Sequence, residues 1–446
     1  MRKILAIYCG FGLIRSAFAF WEGPGHPLPL APSGYWDGND GKWSTFWMQI
    51  GTPPQLVRLL PGTSASTANL TRAITAEAIE GCLKANPDFD TFACNFIRGY
   101  VFQRNESTTW TAGLELSTNA SYGFDTISLG PYGSYLPTLQ HHIIEGISTD
   151  DIFLGSFPLS PLNFTFNTDG PVPSLLGKLR TVNNSVIPST TWGYTAGAYY
   201  RSEYFLGSVI LGGYDPNRID LNDSKSISIP FNNDSSRDLV LGLLSITYNG
   251  SNSSPLLTDG IYAIIDSLIA QMWLPVEVCD AFEAAFGLRW DNETELYLVD
   301  DDIHENLVVL NPKFTFTIGA SKDHGTNNTE IALPYAAFDL NISSPQNYSQ
   351  SQRYFPIKRA QDAWQYTLGR VFLQEAYVIA DYDRGNFTIG QTLFPSTLPS
   401  PSDITAILPP RASGGQRSAN PGMATIAGVF VASIVTLIMS GTFVWW

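Results

Sequence analysis

Asp266 is half of a pattern whose other half has lost its carboxylate. It lies in Ile264-Ile265-Asp266-Ser267-Leu268, an apolar run ending in a small polar turn. A second copy, Leu59-Leu60-Pro61-Gly62-Thr63-Ser64, carries Gly62 at the matching place. Each copy is followed, roughly a hundred residues on, by an apolar-Leu-Gly step, Phe153-Leu154-Gly155 and then Thr367-Leu368-Gly369. Two carboxylates facing one another across a cleft perform paired acid–base chemistry. The ionised one takes a proton from a water, the protonated one polarises a carbonyl, and their closeness splits the two pKa values. A glycine neither accepts nor donates through a side chain. No Asp or Glu occurs from Gly41 to Ala76, so no neighbour in the first copy replaces it. If the turns Gly62, Thr63, Ser64 and Asp266, Ser267, Leu268 face each other, the missing side chain decides whether the protein is an enzyme. Asp266 also has a plainer role open to it, as a turn residue bonded to neighbouring backbone N–H groups or to hydroxyls such as those of Thr63 and Ser267.

Other chemistries find little support. Gly62-Thr63-Ser64-Ala65-Ser66 is not a nucleophile elbow, and no paired His is apparent to activate Ser64. His141 and His142 are adjacent and do not form the i, i+4 helical pair of a zinc site. Asp300-Asp301-Asp302 reads as a solvated turn. No phosphate-binding glycine loop occurs, and no cofactor or metal is expected.

The elements that must hold these turns are mostly short strands. Alternating or β-branched runs recur at Phe46–Ile50, Leu56–Leu60, Thr126–Leu129, Ser208–Leu211, Ser226–Ile229, Ala263–Ile265, Phe314–Ile318 and Tyr377–Ala380, punctuated by Gly, Pro, Asn and Asp. Helical patterns are sparse: Thr75–Glu80, Ser174–Leu179 and Val276–Phe286. The quasi-repeat predicts a mostly-β protein of two related lobes around a cleft, 45–225 and 226–394, preceded by a segment 20–44 and joined near residues 215–235. From Pro395 to Gly422 a composition of Pro, Ser, Ala and Gly predicts an extended, exposed stalk.

The 446 residues are 44% apolar and 13% aromatic, enough for more than one core. Only 15% are charged, and the net charge of −15 argues against nucleic acid as a partner. Arg2 and Lys3, the apolar Ile4–Leu13 and Ala17-Phe18-Ala19 follow the order of a secretory signal, residues 1–19. Residues 423–446 are apolar and uncharged, long enough to span a bilayer. With small residues Ser413 and Gly414 and a polar spacer upstream, they also match a GPI-attachment signal. Both forms of membrane anchor stay open, and the lobes are placed on the extracellular or lumenal side. Fourteen Asn-x-Ser/Thr sites, at Asn69, Asn105, Asn119, Asn163, Asn183, Asn222, Asn233, Asn249, Asn252, Asn292, Asn327, Asn341, Asn347 and Asn386, predict a glycoprotein of the secretory pathway. Cys82 and Cys94 close a short polar loop and read as a disulfide in an oxidising compartment. Cys279, on the apolar face of a helical pattern, reads as a buried free thiol.

Ile50-Gly51-Thr52-Pro53-Pro54-Gln55 and the strand after it resemble the opening of a pepsin-like aspartic protease lobe. Gly123-Phe124-Asp125-Thr126-Ile127 resembles the strand after that family's flap, and Phe153-Leu154-Gly155 its closing glycine turn. Val209-Ile210-Leu211-Gly212-Gly213-Tyr214-Asp215 resembles the last hairpin of the first lobe. Ile264-Ile265-Asp266-Ser267, Leu368-Gly369-Arg370-Val371-Phe372-Leu373 and Tyr377-Val378-Ile379-Ala380-Asp381-Tyr382 resemble the second lobe. The resemblance covers about residues 40–394 in order. Arg370, Gln374-Glu375-Ala376 and the apolar tail are similar to membrane-anchored fungal members. The resemblance implies a bilobal pepsin-like acid protease fold, with Asp266 as a catalytic carboxylate. The family's Asp-Thr/Ser-Gly is departed from in both lobes, as Gly62-Thr63-Ser64 and Asp266-Ser267-Leu268, and the flap tyrosine has no counterpart, Trp110 being the nearest aromatic. Three functions follow as expectations: an inactive protease-like surface glycoprotein, expected to be a monomer, with a peptide- or glycan-binding cleft; an aspartic endopeptidase using Asp266 with an atypical partner; or a structural wall or surface glycoprotein.

Overall fold

The structure is a computed structural model. It describes residues 21–64, 70–86, 88–113, 120–149, 152–164, 170–181, 185–249, 255–323, 325, 327–344, 347–395 and 400–410. The signal segment, the apolar tail, the attachment candidates Ser413 and Gly414, and Asn69, Asn119, Asn183 and Asn252 lie outside these residues.

Three sheets position the two turns. Among the described residues, the first lobe is an eight-stranded sheet in which Gln55–Gly62 lies between Trp43–Ile50 and Gly155–Pro158. Trp43–Ile50 also pairs with Ala120–Leu129, which folds the sheet back on itself. The second lobe is a seven-stranded sheet in which Ile261–Ile265 lies between Val240–Tyr248 and Thr367–Leu368. In each lobe the strand that ends at the turn has one parallel neighbour, Gly155–Pro158 in the first and Thr367–Leu368 in the second. Such a strand is flanked on both edges and reads as a continuous apolar run, which is what Leu59-Leu60 and Ile264-Ile265 are. A six-stranded antiparallel sheet joins the lobes, where Thr191–Gly197 of the first half pairs with Ala376–Asp381 of the second, Trp192 opposite Ala380. Trp192, Tyr194 and Tyr377 are buried there. This mostly-β, two-lobed architecture is the one expected from the quasi-repeat, and it is the pepsin-like fold that the resemblance implies.

Each strand expected from sequence lies inside an observed one. Helices were undercounted. Asp300-Asp301-Asp302 opens a helix, Asp301–Leu310, and is not a free turn: Asp300 caps it by accepting the Ile303 N–H at 2.9 Å, and the two following carboxylates favour the positive end of the helix dipole. Asp90 caps Thr91–Ile97 in the same way. That helix carries Cys94, which is disulfide-bonded to Cys82 as expected. Cys279 is fully buried, and burial pushes its thiol up to about 12, which keeps it a protonated, unreactive packing group.

The expected free stalk begins later than its composition suggests. Thr405–Ala406 adds a strand to Gly213–Tyr214, Ile407 N–H donates to the Gly212 carbonyl at 3.1 Å, and Arg384 donates to the Leu408 carbonyl at 2.8 Å. A Cβ on Gly213 would lie 2.2 Å from the Thr405 carbonyl oxygen, so the strap requires glycine there. Of the described sequons, Asn105, Asn163, Asn222, Asn233, Asn249, Asn292, Asn327 and Asn341 are exposed, whereas Asn386 is half-buried in a strand.

One buried ion pair anchors the first lobe. Arg58, on the strand that ends at Gly62, is 0% exposed and binds Asp37 through two parallel hydrogen bonds of 2.8 Å. The rings of Tyr35, Phe96, Tyr100 and Trp47 surround its guanidinium at 4.5, 4.7, 5.0 and 5.5 Å.

Candidate functional site

The two turns face one another and interlock. Thr63 N–H donates to Ser267 Oγ at 2.9 Å, and Ser267 N–H donates to Thr63 Oγ1 at 3.0 Å. Ser267 Oγ donates in turn to the Pro61 carbonyl at 2.6 Å, and Thr63 Oγ1 to the Ile265 carbonyl at 3.4 Å. The exchange is reciprocal, so Thr63 and Ser267 are equivalent positions, and one residue back Gly62 is equivalent to Asp266. Thr63, Ser64 and Ser267 are 0% exposed and Asp266 is 3% exposed. Short polar side chains are needed because every donor and acceptor at this dry junction must be satisfied within it.

Asp266 bonds locally, as the plainer reading anticipated: its Oδ1 accepts the Leu268 N–H at 2.9 Å. Its charge also reaches Arg237, where it joins Asp234 and Asp362 in favouring a guanidinium that burial otherwise pushes down. Arg237 stacks on the exposed Trp364 ring at 4.3 Å. On the other side Arg370 donates to the Ser267 carbonyl at 2.9 Å and to Asp40 of the first lobe at 2.8 Å, with its guanidinium 4.8 Å from the Trp43 ring. Sequence reasoning noted Arg370 but not this clasp, whose partners are 330 residues apart.

The register corrects one expected correspondence. In the second lobe Ile264 and Ile265 pair with Thr367 and Leu368. In the first lobe Leu60 and Pro61 pair with Ser156 and Phe157, and Gly62 with Pro158. The counterpart of Leu368-Gly369 is therefore Phe157-Pro158, three residues after the Leu154-Gly155 that resembles it in letters. Gly369 has no room for a side chain: a Cβ would lie 2.2 Å from the Gln271 carbonyl oxygen and 2.4 Å from that of Ile269. Gly155 is a glycine for a different reason, the Arg72 carbonyl oxygen 2.3 Å from its would-be Cβ.

Trp110 does not take a flap tyrosine's place over the turns. It precedes the short strand Thr111–Ala112, lies against Gly123, and packs on Phe102 with ring centroids 5.7 Å apart. His142 is buried against Thr71 and held neutral, burial pushing it down to about 3. Among the described residues no cluster of His, Cys, Asp or Glu is arranged to hold a metal.

A buried carboxyl beside the site was not anticipated. Asp238 adjoins Leu239, whose carbonyl accepts the Ile265 N–H at 3.0 Å. Burial pushes Asp238 from the ordinary 3.8 up to about 6, against the opposing influence of the neighbouring Tyr382 hydroxyl. A folded value above the unfolded one means that its contribution to stability is complete below the unfolded value and is lost as the pH rises through about 6. His142 acts in the opposite sense, since its depressed value removes stability as the pH falls below 6.5. Comparison with Asp238→Asn isolates the carboxyl. The variant should gain about 2–3 kcal/mol on the wild type between pH 4 and pH 7 in denaturant titrations, and an unchanged difference would refute the assignment.

The family model for eukaryotic aspartyl protease matches residues 184–393. The chain is 22% identical over 342 residues to pepsin B of Canis lupus familiaris, covering 75% of this chain and 77% of that one. It is 28% identical over 141 residues to gastricsin of Callithrix jacchus, covering 32% of each. Together with the two-lobed fold and the interlocked turns, these matches make the chain similar in sequence and architecture to the pepsin-like aspartic proteases.

Proposed function

We propose that this protein is a catalytically silent aspartic-protease-like glycoprotein of the cell surface, anchored through its apolar tail, whose cleft binds extended peptides. The reading is carried by Gly62, interlocked opposite Asp266 through Thr63 and Ser267. Aspartic proteolysis divides its labour between two carboxylates, and Gly62 supplies none at the position matching Asp266. Losing one member of a cooperating pair costs orders of magnitude in rate. Leu268 adds bulk beside the remaining carboxylate. A groove between lobes binds without a catalytic pair, so the cleft keeps a use after the reaction is gone.

Apolar side chains such as Leu60, Phe153 and Leu268 line the space beside the turns, which favours peptide over glycan. Binding of an unbiased labelled octapeptide library to the full-length chain, set beside a glycan array, tests this. Peptide binding with no glycan signal is expected, and glycan binding alone would overturn the ligand class. Release from cells by a phosphatidylinositol-specific phospholipase is expected of a GPI anchor, whereas retention with an intact Trp446 would assign a membrane-spanning helix.

A further inference from the structure

Beside Leu268 the two lobes line a half-open pocket of about 260 Å³, room for more than one water or a small polar group. Leu60, two residues before Gly62, and Leu268, two after Asp266, line it together with Phe153. Its polar wall carries two guanidinium groups, Arg72 from the first lobe, which also donates to Glu145 at 2.6 Å, and Arg370 from the second, which pairs with the lining carboxylate Asp40. Asp40 is already engaged, accepting Trp43 Nε1–H at 2.7 Å on Oδ1 and Arg370 at 2.8 Å on Oδ2.

Two buried polar atoms of the same wall lack a hydrogen-bond partner among the described residues, Ser156 Oγ and Arg370 Nε. Ser156 is 2% exposed and Arg370 is 3% exposed. Both groups can donate, and buried donors are ordinarily satisfied. A cavity with an apolar floor, two guanidinium groups and unsatisfied donors suits an anionic group on a short apolar stem.

We infer that this cavity receives a carboxylate of the bound peptide, so that the cleft selects acidic ligands; this rests on the peptide-cleft reading above. The net charge of −15 opposes acidic ligands only at long range, where salt screens it, whereas a guanidinium in contact with a carboxylate inside a cavity is screened far less. The carboxylate belongs either to an Asp or Glu side chain or to the peptide's C-terminus, and the lining serves both alike.

The test is fluorescence anisotropy on the full-length chain with labelled octapeptides at about pH 6, where carboxylates are ionised. Acetylated, amidated peptides carrying one Glu are compared with their Gln counterparts, and free-acid with amidated C-termini. A preference of about tenfold or more for the acidic member is expected, the scale of one charge-assisted hydrogen bond. A Glu/Gln preference assigns the side chain, and a free-acid preference assigns the terminus. Arg72→Gln should abolish the preference, bringing the acidic and uncharged members of each pair to equal affinity. Arg72 also holds Glu145, so Leu268→Phe, which fills the cavity without altering charge, serves as a second variant with the same expected loss of preference. Equal binding of acidic and uncharged peptides would overturn the carboxylate pocket and leave the peptide cleft standing. Absence of binding by every peptide would overturn both.

Discussion

Gly62→Asp is expected to lower stability above about pH 5 by about 3 kcal/mol, a penalty that a second substitution, Asp266→Asn, largely removes. Gly62 is buried at the end of the strand Gln55–Gly62, and its backbone is not left-handed, so its φ does not demand glycine. The cost comes from charge. A second carboxylate interlocked opposite Asp266 raises the pair's shared proton affinity, by about two units for facing acids, and each unit is worth about 1.4 kcal/mol. Folded values raised above unfolded ones leave stability intact in acid and remove it as the pH rises through them. Chemical denaturation of the wild type, both single variants and the double variant at about pH 4 and pH 7 closes the cycle. A penalty independent of Asp266 would mean that the two positions do not face each other. The single substitution is expected not to restore proteolysis, because Leu268 and Pro158 still stand where the repeat calls for small residues, as Gly369 is in the second lobe.

Asp37→Ala should destabilise the first lobe by about 3–5 kcal/mol, the cost of leaving a buried cation without its counter-ion. Arg58 is fully buried, it donates to both Asp37 carboxylate oxygens, and its remaining neighbours, the Phe96 carbonyl and four rings, supply no full negative charge. Arg58→Met in the Asp37→Ala background should recover much of the loss, since replacing a buried pair by apolar groups of similar volume is often close to neutral. Melting temperature and denaturant midpoint report both variants. If Asp37→Ala costs under about 1 kcal/mol, the pair behaves as a surface ion pair and the assignment fails.

Much of this architecture is legible in the sequence, and what is not has physical causes. Leu59-Leu60 and Ile264-Ile265 announce central strands because both faces of such strands are buried, and the polar residues after them announce the turns. The interlock of Thr63 with Ser267 was open in the letters only as far as the turns match, since nothing local states that they meet. Phe153-Leu154-Gly155 misled because a glycine can answer to different close approaches. Gly155 makes room for the Arg72 carbonyl oxygen, Gly369 for those of Ile269 and Gln271, and only the strand register tells them apart. The clasp of Asp40 with Arg370 and the cage around Arg58 join residues far apart in sequence whose types carry no periodic signal. Asp300-Asp301-Asp302 looked like a solvated turn because acidic residues serve both turns and helix starts, and the cap to Ile303 decides between them. The strap at Thr405–Ala406 hid in a segment whose composition suits a linker.

The central claim, a cleft that kept its shape and lost its reaction, meets its most direct test in one assay. The purified full-length wild type and Asp266→Asn are incubated with an unfolded protein substrate across acidic pH, with and without pepstatin, and new N-termini are counted by mass spectrometry. The account predicts the same background for both proteins, unchanged by pepstatin. Acid-dependent, pepstatin-sensitive cleavage by the wild type that Asp266→Asn abolishes would contradict it and make this chain a working aspartic endopeptidase.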